Sequence, residues 1–323
     1  MSSNALILGI TGQDGAYLSN VLLKKGYTVS GLSRHTGTKE CWRLDELGIR
    51  SDVELIEGDI QDASLIEETI KQLKPQEIYN LAAQSVSANV SFENPTETEE
   101  TNLGGVEHIL ESIQKHSPDS RLFQASSSEM YGESTSATQS EKTPLSPINP
   151  YGESKAEAHM LVAKYRNNGL YTCSGILFNH ESPLRGEKYV SRKITDGVAR
   201  IKLGLADSIT LGNLDAKRDW GFAGDYVEAM WLMLQQDTPQ DFVISTGQTH
   251  SLREMLAIAF DHIEVDEWEA YIQQDERFMR ASELPQLCGD SSKAHSILNW
   301  EPRVSFEDMV RMMVDADITR LQQ

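Results

Sequence analysis

A short apolar strand that runs into a glycine-rich turn and then a helix is the feature that most constrains the fold. The strand is the apolar run 5–8, the turn has the spacing Gly-x-x-Gly-x-x-Gly, and a helical pattern covers residues 16–25. Gly9 permits a tight turn, Gly12 lets a ligand approach the backbone, and Gly15 lets helix and strand pack closely. Since amide groups at a helix amino end bind phosphate, the arrangement predicts a dinucleotide site. The alternative is an ordinary strand-to-helix loop.

Strand-like and helical segments alternate along the first half of the chain. The strand-like segments are 6–9, 28–32, 53–57, 77–81, 121–125 and 171–178, and helical patterns include 64–73 and 104–114. This alternation predicts an α/β fold with a doubly wound parallel sheet, Rossmann-type, and a smaller carboxy-terminal α/β lobe. We expect residues 1–178 to form the dinucleotide-binding domain and 179–323 mainly the substrate lobe. A strand near 242–245, within 218–248, should return to the first domain before a helix over 251–262.

Composition and charge exclude several classes of protein. The chain has 323 residues, 39% hydrophobic content and a net charge of −20. Such a charge repels nucleic acid and anionic membrane, and no apolar run is long enough for a membrane span. No signal peptide is visible, and three scattered cysteines fit a reducing compartment, so we expect a cytoplasmic protein with no nucleic-acid or membrane partner.

Tyr151 and Lys155 have the spacing that places two side chains on one side of a helix, and a hydroxyl-rich run, 126–129, precedes them. An ammonium near a phenol favours the ionised phenol, which can then act as a base near neutral pH. The pattern indicates chemistry at a carbinol. The alternative is a solvated pair on an exposed helix.

The residues after the second strand indicate which dinucleotide binds. NAD sites usually place Asp or Glu there, whereas this chain has Ser33-Arg34-His35. Because Arg34 can pair with a 2′-phosphate that a carboxylate would repel, NADP is favoured. The alternative is a surface arginine in a polar loop.

Clusters of cations stand out in so acidic a chain. Four lie between Arg185 and Lys193, a second group is Lys217-Arg218, and a third is Arg277 with Arg280. They either converge on a second phosphorylated ligand or are unrelated solvated charges. His180-Glu181 lacks the second histidine of a zinc helix, so no metal site is predicted.

Several longer segments resemble one family. They are Gly-Ile-Thr-Gly-Gln-Asp-Gly-Ala-Tyr-Leu at 9–18, Tyr-Asn-Leu-Ala-Ala-Gln-Ser at 79–85, Phe-Asn-His-Glu-Ser-Pro-Leu-Arg-Gly at 178–186, Gly-Asn-Leu-Asp-Ala-Lys-Arg-Asp-Trp-Gly at 212–221 and Asp-Tyr-Val-Glu-Ala-Met-Trp at 225–231. With the motifs above they resemble the extended short-chain dehydrogenase/reductase superfamily, and within it GDP-mannose 4,6-dehydratases. The resemblance runs almost from end to end and is weakest at 33–41 and 263–290.

The resemblance implies conversion of GDP-mannose to GDP-4-keto-6-deoxy-mannose with NADP. Tyr151 would remove the 4-hydroxyl proton, Lys155 would hold the tyrosinate and cofactor ribose, and Ser127 would bond the C4 oxygen. Glu129 would take the C5 proton, since elimination needs a second acid/base beside the Ser-Tyr-Lys set. The alternatives are an NADPH-dependent reductase of a GDP-4-keto-6-deoxy sugar and a catalytically idle NADP-binding regulatory protein.

The resemblance also implies ligand contacts. The cofactor residues would be Gly9, Thr11, Gly12, Gln13, Asp14, Gly15, Arg34, Asp59, Ile60, Ala82, Gln84, Ser85, Tyr151, Lys155, His180 and Arg185. The substrate residues would be Ser85, Ser127, Glu129, Asn179, Val190, Lys193, Gly212, Arg218, Arg280 and Glu283.

Three positions depart from the family pattern. Ser127 stands where the dehydratases usually have threonine, and one hydroxyl can replace the other. His35-Thr36-Gly37 stands where the family carries a second arginine and a serine pair, which bear on the 2′-phosphate and on tetramer assembly. Ala281 replaces a proline. We expect a homodimer or homotetramer.

Overall fold

A computed structural model describes residues 3–84, 88–134, 136–275 and 287–322, without the side chains of 88–90. Most of its strands belong to one large sheet. The strands are β1 Asn4–Leu8, β2 Thr28–Ser33, β3 Val53–Glu57, β4 Glu77–Asn80, β5 Arg121–Ser127, β6 Thr172–Leu177, β7 Asn179–Glu181, β8 Ile209–Leu211, β9 Lys217–Phe222, β10 Phe242–Ile244, β11 Thr249–Ser251 and β12 Ile272–Gln274.

The helices of the described residues alternate with these strands. They are α1 Gln13–Lys24, α2 Trp42–Glu46, α3 Ala63–Leu73, α4 Ala88–Glu93, α5 Pro95–Glu99, α6 Gly105–His116, α7 Pro150–Asn167, α8 Val190–Lys202, α9 Ala223–Leu234, α10 Leu252–His262, α11 Ser292–Leu298 and α12 Phe306–Leu321. A π-helical turn, Glu100–Gly104, joins α5 to α6. Short 3-10 turns occur at Arg50–Asp52, Ser128–Tyr131 and Trp268–Tyr271.

The large sheet has seven strands in the order β10-β6-β5-β4-β1-β2-β3, and every neighbouring pair is parallel. Residues from α3, α6 and α7 form an apolar core on one face, and residues from α1, α9 and α11 form another. Helices on both faces explain why the strands read as continuous apolar runs. The predicted doubly wound α/β fold is confirmed, and the strands begin and end within one or two residues of their predicted bounds.

The order of strands reverses between β1 and β4. From β1 the chain proceeds outward to β2 and β3, and then crosses to β4 on the other side of β1. In open parallel sheets, the carboxyl ends of strands at such a reversal border a crevice that binds ligands. The glycine turn follows β1 directly, so the topology places it at this crevice.

The carboxy-terminal part builds a second core around two small sheets, β11-β9-β7 and β12-β8. Apolar residues of α8, α10 and α12 pack there with Trp220 and Trp268. β10 leaves this part and pairs in parallel with β6, so the chain crosses into the carboxy-terminal part and returns. The division at residue 178 stays a prediction. Among the described residues, no helix is long and apolar enough to cross a membrane.

Candidate active site

The glycine turn packs tightly between β1 and α1. Gly9 has a φ of +89°, a conformation that L side chains rarely adopt, and its carbonyl accepts a hydrogen bond from the Gly12 amide at 3.0 Å. A Cβ on Gly15 would lie 2.4 Å from the Gly9 oxygen. Gly12 caps α1 without a side chain, so amide groups at the amino end of α1 stay open to a ligand.

A cavity of about 370 Å³ lies against this turn. It brings together eleven of the predicted cofactor residues, namely Gly9, Thr11, Gly12, Gln13, Asp14, Gly15, Arg34, Asp59, Ile60, Ala82 and Arg185. Gln84, Tyr151, Lys155 and His180 do not line it, and Ser85 lies outside the described residues. The cavity therefore fits the phosphate-bearing part of a dinucleotide.

Sequence reasoning missed several residues of this cavity. They are Ser33, His35, Glu40, Arg43 and Tyr189, with backbone from neighbouring glycines. Arg43 donates to the Leu184 carbonyl at 2.6 Å and to the Thr11 carbonyl at 3.1 Å, so it ties α2 to the glycine turn. Burial and the nearby Arg185 lower the pKa of Arg43 to about 10. No sequence motif marks Arg43, because both partners are distant in the chain.

Asp14 and His180 form a partly buried pair at the start of α1. His180 Nε2 lies 2.9 Å from an Asp14 oxygen, and Nδ1 donates to the Phe178 carbonyl at 2.7 Å. Burial acts to raise the pKa of Asp14. The charge and the hydrogen bond of His180 lower this pKa by more, so the net shift is downward. Burial lowers the pKa of His180, but Asp14 raises it more. The pair with His180 offsets the negative charge of a carboxylate that lines the cavity.

The predicted catalytic hydroxyl groups meet at the carboxyl end of β5. Ser127 ends that strand, Tyr151 lies in the first turn of α7, and the Ser127 side chain is near enough to act on the pKa of Tyr151. Burial and the Glu129 charge raise the pKa of Tyr151, whereas Ser127 and Arg185 act to lower it. The net direction is upward, which differs from the expectation that a neighbouring ammonium keeps the phenol ionised.

Burial accounts for most of this rise, and Lys155 does not offset it. Its ammonium lies 5.9 Å from the centre of the Tyr151 ring and donates to the Ala125 carbonyl at 3.0 Å. Burial lowers the pKa of Lys155 to about 8. The ammonium bonds to the backbone near the end of β5, so spacing on a helix placed the two residues together without a hydrogen bond between them.

Glu129 lies in the 3-10 turn that follows β5. Its amide donates to Ser127 Oγ at 3.2 Å, and its carboxylate accepts from Asn149 Nδ2 at 3.0 Å. Gly132, two residues after Met130, has a φ of +47°, and a Cβ there would lie 1.7 Å from the Ser146 oxygen. This tight turn follows Glu129, whose negative charge is near enough to raise the pKa of Tyr151.

The basic segment from Arg185 to Lys193 divides between two environments. Arg185 lines the cavity, pairs with the buried Glu181 at 3.0 Å and stacks 3.6 Å above the Tyr189 ring. Arg192 is buried away from the cavity and pairs with Asp317 of α12 at 2.6 Å. The four cations therefore do not all converge on one ligand, because Arg192 holds the loop that precedes it through the Pro183 and Arg185 carbonyls.

The predicted substrate residues are spread over the start of the carboxy-terminal part. Asn179 is on β7 and Arg218 on β9, two neighbouring strands, while Val190 and Lys193 are in the first turn of α8. Gly212 follows β8 and accepts from Gln274 Nε2. Arg280 and Glu283, and Arg277 of the third basic cluster, lie outside the described residues.

Across the residues that the structure describes, there is no group of three or more His, Cys, Asp or Glu that could hold a metal ion. His180 uses both ring nitrogens in the contacts above. The cysteines Cys41, Cys173 and Cys288 are free thiols.

Comparisons with known proteins show the family of the chain. The family model described as GDP-mannose 4,6 dehydratase matches residues 6–313. The chain is 47% identical to GDP-mannose 4,6 dehydratase 1 of Arabidopsis thaliana, over 97% of this chain and 89% of the relative. It is 42% identical to GDP-mannose 4,6 dehydratase of Homo sapiens, over 97% and 91% of the two chains.

A solved structure gives the same picture for the fold. The UDP-glucose 4-epimerase of Thermus thermophilus, in complex with NAD, is 25% identical and superposes with a TM-score of 0.83, covering 97% of this chain and 98% of the epimerase. The family model and the two relatives cover nearly the whole chain, which belongs to the GDP-mannose 4,6-dehydratase family.

Proposed function

We propose that the protein converts GDP-D-mannose to GDP-4-keto-6-deoxy-D-mannose and water. Relatives that match along nearly the whole chain carry this activity in their names. The observation that supports the proposal most is that the Glu129 amide is bonded to Ser127 Oγ while the Glu129 carboxylate is near enough to raise the pKa of Tyr151. A simple reductase needs only the hydroxyl groups and the lysine, whereas elimination of water needs a further acid/base.

The cofactor in this proposal is a nicotinamide dinucleotide, and NADP in particular. The glycine turn presents open helix amides to phosphate, and Arg34, Arg43 and Arg185 line the cavity together with the carboxylates of Asp14, Glu40 and Asp59. The end of β2 carries no carboxylate that would meet a ribose 2′-hydroxyl. When bound, the nicotinamide accepts a hydride from C4 of the sugar and returns it to C6, so the cofactor is regenerated.

Tyr151, Ser127 and Lys155 act at C4 of the mannosyl ring. Tyr151 removes the 4-hydroxyl proton as the ketone forms, and Ser127 donates a hydrogen bond to the C4 oxygen. Lys155 is fixed at the end of β5 by the Ala125 carbonyl, where its charge is available to a tyrosinate and a ribose. Because burial raises the pKa of Tyr151, nearby positive charge would be needed to ionise the phenol, and Lys155 and Arg185 would supply it.

Glu129 acts at C5. A ketone at C4 makes the C5 proton acidic, and the Glu129 carboxylate would take that proton and pass it to the C6 hydroxyl, which leaves as water. The carbon–oxygen bond at C6 breaks, and a C5–C6 double bond forms. Hydride from the reduced nicotinamide would add at C6, and C5 would take the proton that Tyr151 removed from the 4-hydroxyl and exchanges with solvent, so the C4 ketone remains.

The substrate nucleotide is assigned to the start of the carboxy-terminal part. Arg218 and Arg280 suit a diphosphate because a guanidinium can bind two oxygens at once, and Glu283 suits guanosine or ribose donors. Asn179, Val190, Lys193, Gly212 and Ser85 complete the set carried over from the family. Homodimer or homotetramer assembly belongs to the same proposal.

The test is NMR of GDP-mannose incubated with purified protein and catalytic NADP⁺ in heavy water, without added reductant. We expect a GDP-4-keto-6-deoxy sugar with deuterium at C5 and no net reduced cofactor. Conversion of a GDP-4-keto-6-deoxy sugar with stoichiometric NADPH, and none of GDP-mannose, would replace the proposal with the reductase. Repeating the assay with NAD⁺ measures cofactor preference, and we expect a higher kcat/KM with NADP⁺.

A variant pair tests the role of Glu129. Glu129→Gln removes the base for C5 but leaves Ser127, Tyr151 and Lys155, so reduced cofactor should accumulate on mixing with GDP-mannose because oxidation outruns elimination. Glu133→Gln, four residues along in an exposed position, is the control and should behave as wild type. Equal loss of oxidation and elimination in Glu129→Gln would remove the assigned role.

A further inference from the structure

We propose that Asn149 is the positioning residue that holds the Glu129 carboxylate and joins it to the helix that carries Tyr151 and Lys155. This inference rests on the function proposed above, since it deepens the role of Glu129. Asn149 precedes α7 as its N-cap and is 4% exposed. Its side chain makes two hydrogen bonds in opposite directions, one to the helix and one to the carboxylate.

The two bonds use different atoms of the amide. Oδ1 accepts from the Gly152 amide at 2.8 Å, which satisfies one of the free N–H groups of the first turn of α7. Nδ2 donates to Glu129 Oε2 at 3.0 Å. Reversing the amide would set its nitrogen against an N–H and its oxygen against a carboxylate, so the chemistry of the neighbours determines the orientation.

Backbone contacts hold both partners of Asn149 in place. A Cβ on Gly152 would lie 2.8 Å from the Glu129 carbonyl oxygen, so the start of α7 rests on the backbone of the acid/base residue. The Ser146 amide donates to the Met130 carbonyl at 3.0 Å, and the Glu133 amide donates to the Ser146 carbonyl at 3.2 Å. The segment that leads to Asn149 is therefore bonded to the turn that contains Glu129.

No other side chain of similar size performs both tasks. Serine caps helices well, but its hydroxyl is one carbon shorter than the amide and does not reach the carboxylate. Aspartate can cap the helix but sets a second negative charge beside Glu129. With Oε2 held by the amide, Oε1 is the oxygen that takes the C5 proton.

The test compares Asn149→Ser with wild type, using near-ultraviolet absorbance of the reduced nicotinamide after rapid mixing with GDP-mannose and NADP⁺. Loss of one hydrogen bond to a charged group should slow elimination about ten- to a hundredfold. Oxidation should stay near the wild-type rate, so reduced cofactor accumulates transiently. Asn168→Ser, at the other end of α7, is the matched control and should leave both steps unchanged.

Stability measurements separate positioning from capping. Asn149→Ser should keep the wild-type midpoint of urea unfolding, because serine restores the cap, while Asn149→Ala should lower it and slow elimination by as much as Asn149→Ser. Asn149→Asp should also keep the cap and slow elimination at least as strongly. Normal elimination in Asn149→Ser, or equal slowing of oxidation and elimination, would overturn the inference.

If the wild-type protein gives no keto sugar from GDP-mannose, the proposed function is wrong, but the contact between Asn149 and Glu129 is not thereby contradicted. Crystal structures of wild type and Asn149→Ser then decide the inference without turnover. We expect the Glu129 carboxylate at one position in wild type and displaced in Asn149→Ser. An unmoved carboxylate would show that Asn149 does not position it.

Discussion

Two regions that border the site are held together in different ways. The first, the catalytic turn, consists of residues 127–131 and 149–155, where hydrogen bonds join Glu129 to Ser127 and Asn149, and Asn149 to Gly152. The second, the cation loop, consists of residues 180–192 and depends on ion pairs with distant parts of the chain, such as Asp14 and Asp317. The residues proposed for catalysis are held by hydrogen bonds between two segments about 20 residues apart. The charges of the cation loop depend instead on residues more than 100 positions away in the chain.

The largest expected effect comes from the catalytic turn. Tyr151→Phe removes the phenol that exchanges a proton with the substrate, so turnover of GDP-mannose should fall about a thousandfold with little change in the free energy of unfolding. Product formation by NMR and urea unfolding measure the two quantities. Tyr165→Phe, the same substitution farther along α7, is the control and should keep full activity. Residual activity near wild type in Tyr151→Phe would favour another base.

A substitution that disturbs the cation loop should lower the stability of the protein more than it lowers the rate of the chemical step. Asp317→Asn leaves the buried Arg192 guanidinium without its charged partner, since the side chains of Arg192 and Asp317 are 5% and 1% exposed. Loss of one member of a buried pair should lower the free energy of unfolding by about 3–5 kcal/mol. The KM for NADP⁺ should rise, because Arg192 holds the carbonyl of Arg185.

Asp315→Asn is the matched control on the same helix. Its carboxylate is 66% exposed and pairs with His262, so its removal should change stability by less than about 0.5 kcal/mol. Chemical unfolding of both variants measures the difference. Equal stability losses in Asp317→Asn and Asp315→Asn would show that the buried pair does not hold the loop.

The smallest effect should depend on pH and concerns the Asp14–His180 pair. His180 has a raised pKa in the folded protein, so its contribution to stability is complete below its usual value of 6.5 and is lost as pH rises through the folded value. Asp14 has a lowered pKa, so its contribution is present above 3.8 and is lost as pH falls through the folded value.

His180→Gln should therefore lower the free energy of unfolding by about 1–2 kcal/mol between pH 3.8 and pH 6.5, and by less at alkaline pH. Urea unfolding of wild type and variant over that range gives the difference curve. His262→Gln, which breaks an exposed pair, should show a difference below about 0.5 kcal/mol at every pH. A flat difference curve for His180→Gln would mean that the pair does not carry charge.

Most of the fold could be predicted because its signals are local. Apolar runs of strand length, glycines after β1 and helical spacing around Tyr151 each occupy a few consecutive residues, and the parallel sheet follows from their alternation. The catalytic turn shares this property, which is why Ser127 and Glu129 could be proposed before the structure was known.

The remaining contacts could not be predicted because their partners meet only after folding. Arg43 reaches carbonyls of Thr11 and Leu184, and Arg192 finds Asp317 near the other end of the chain. The sequence of a basic segment does not show whether its arginines face a ligand or a buried carboxylate. The direction of the Tyr151 pKa likewise depends on burial and on where Lys155 points, neither of which spacing reveals.

The position of β10 limits how this enzyme can be recombined with its relatives. The chain leaves the large sheet after β6, builds much of the carboxy-terminal part, and returns to add β10 at the edge beside β6. α9, which the chain forms before β10, covers the same face of the sheet as α1. A chimaera with a single crossover after β6 would therefore exchange β10 of the large sheet and α9 as well, and transfer of the two small sheets alone requires at least two separated segments.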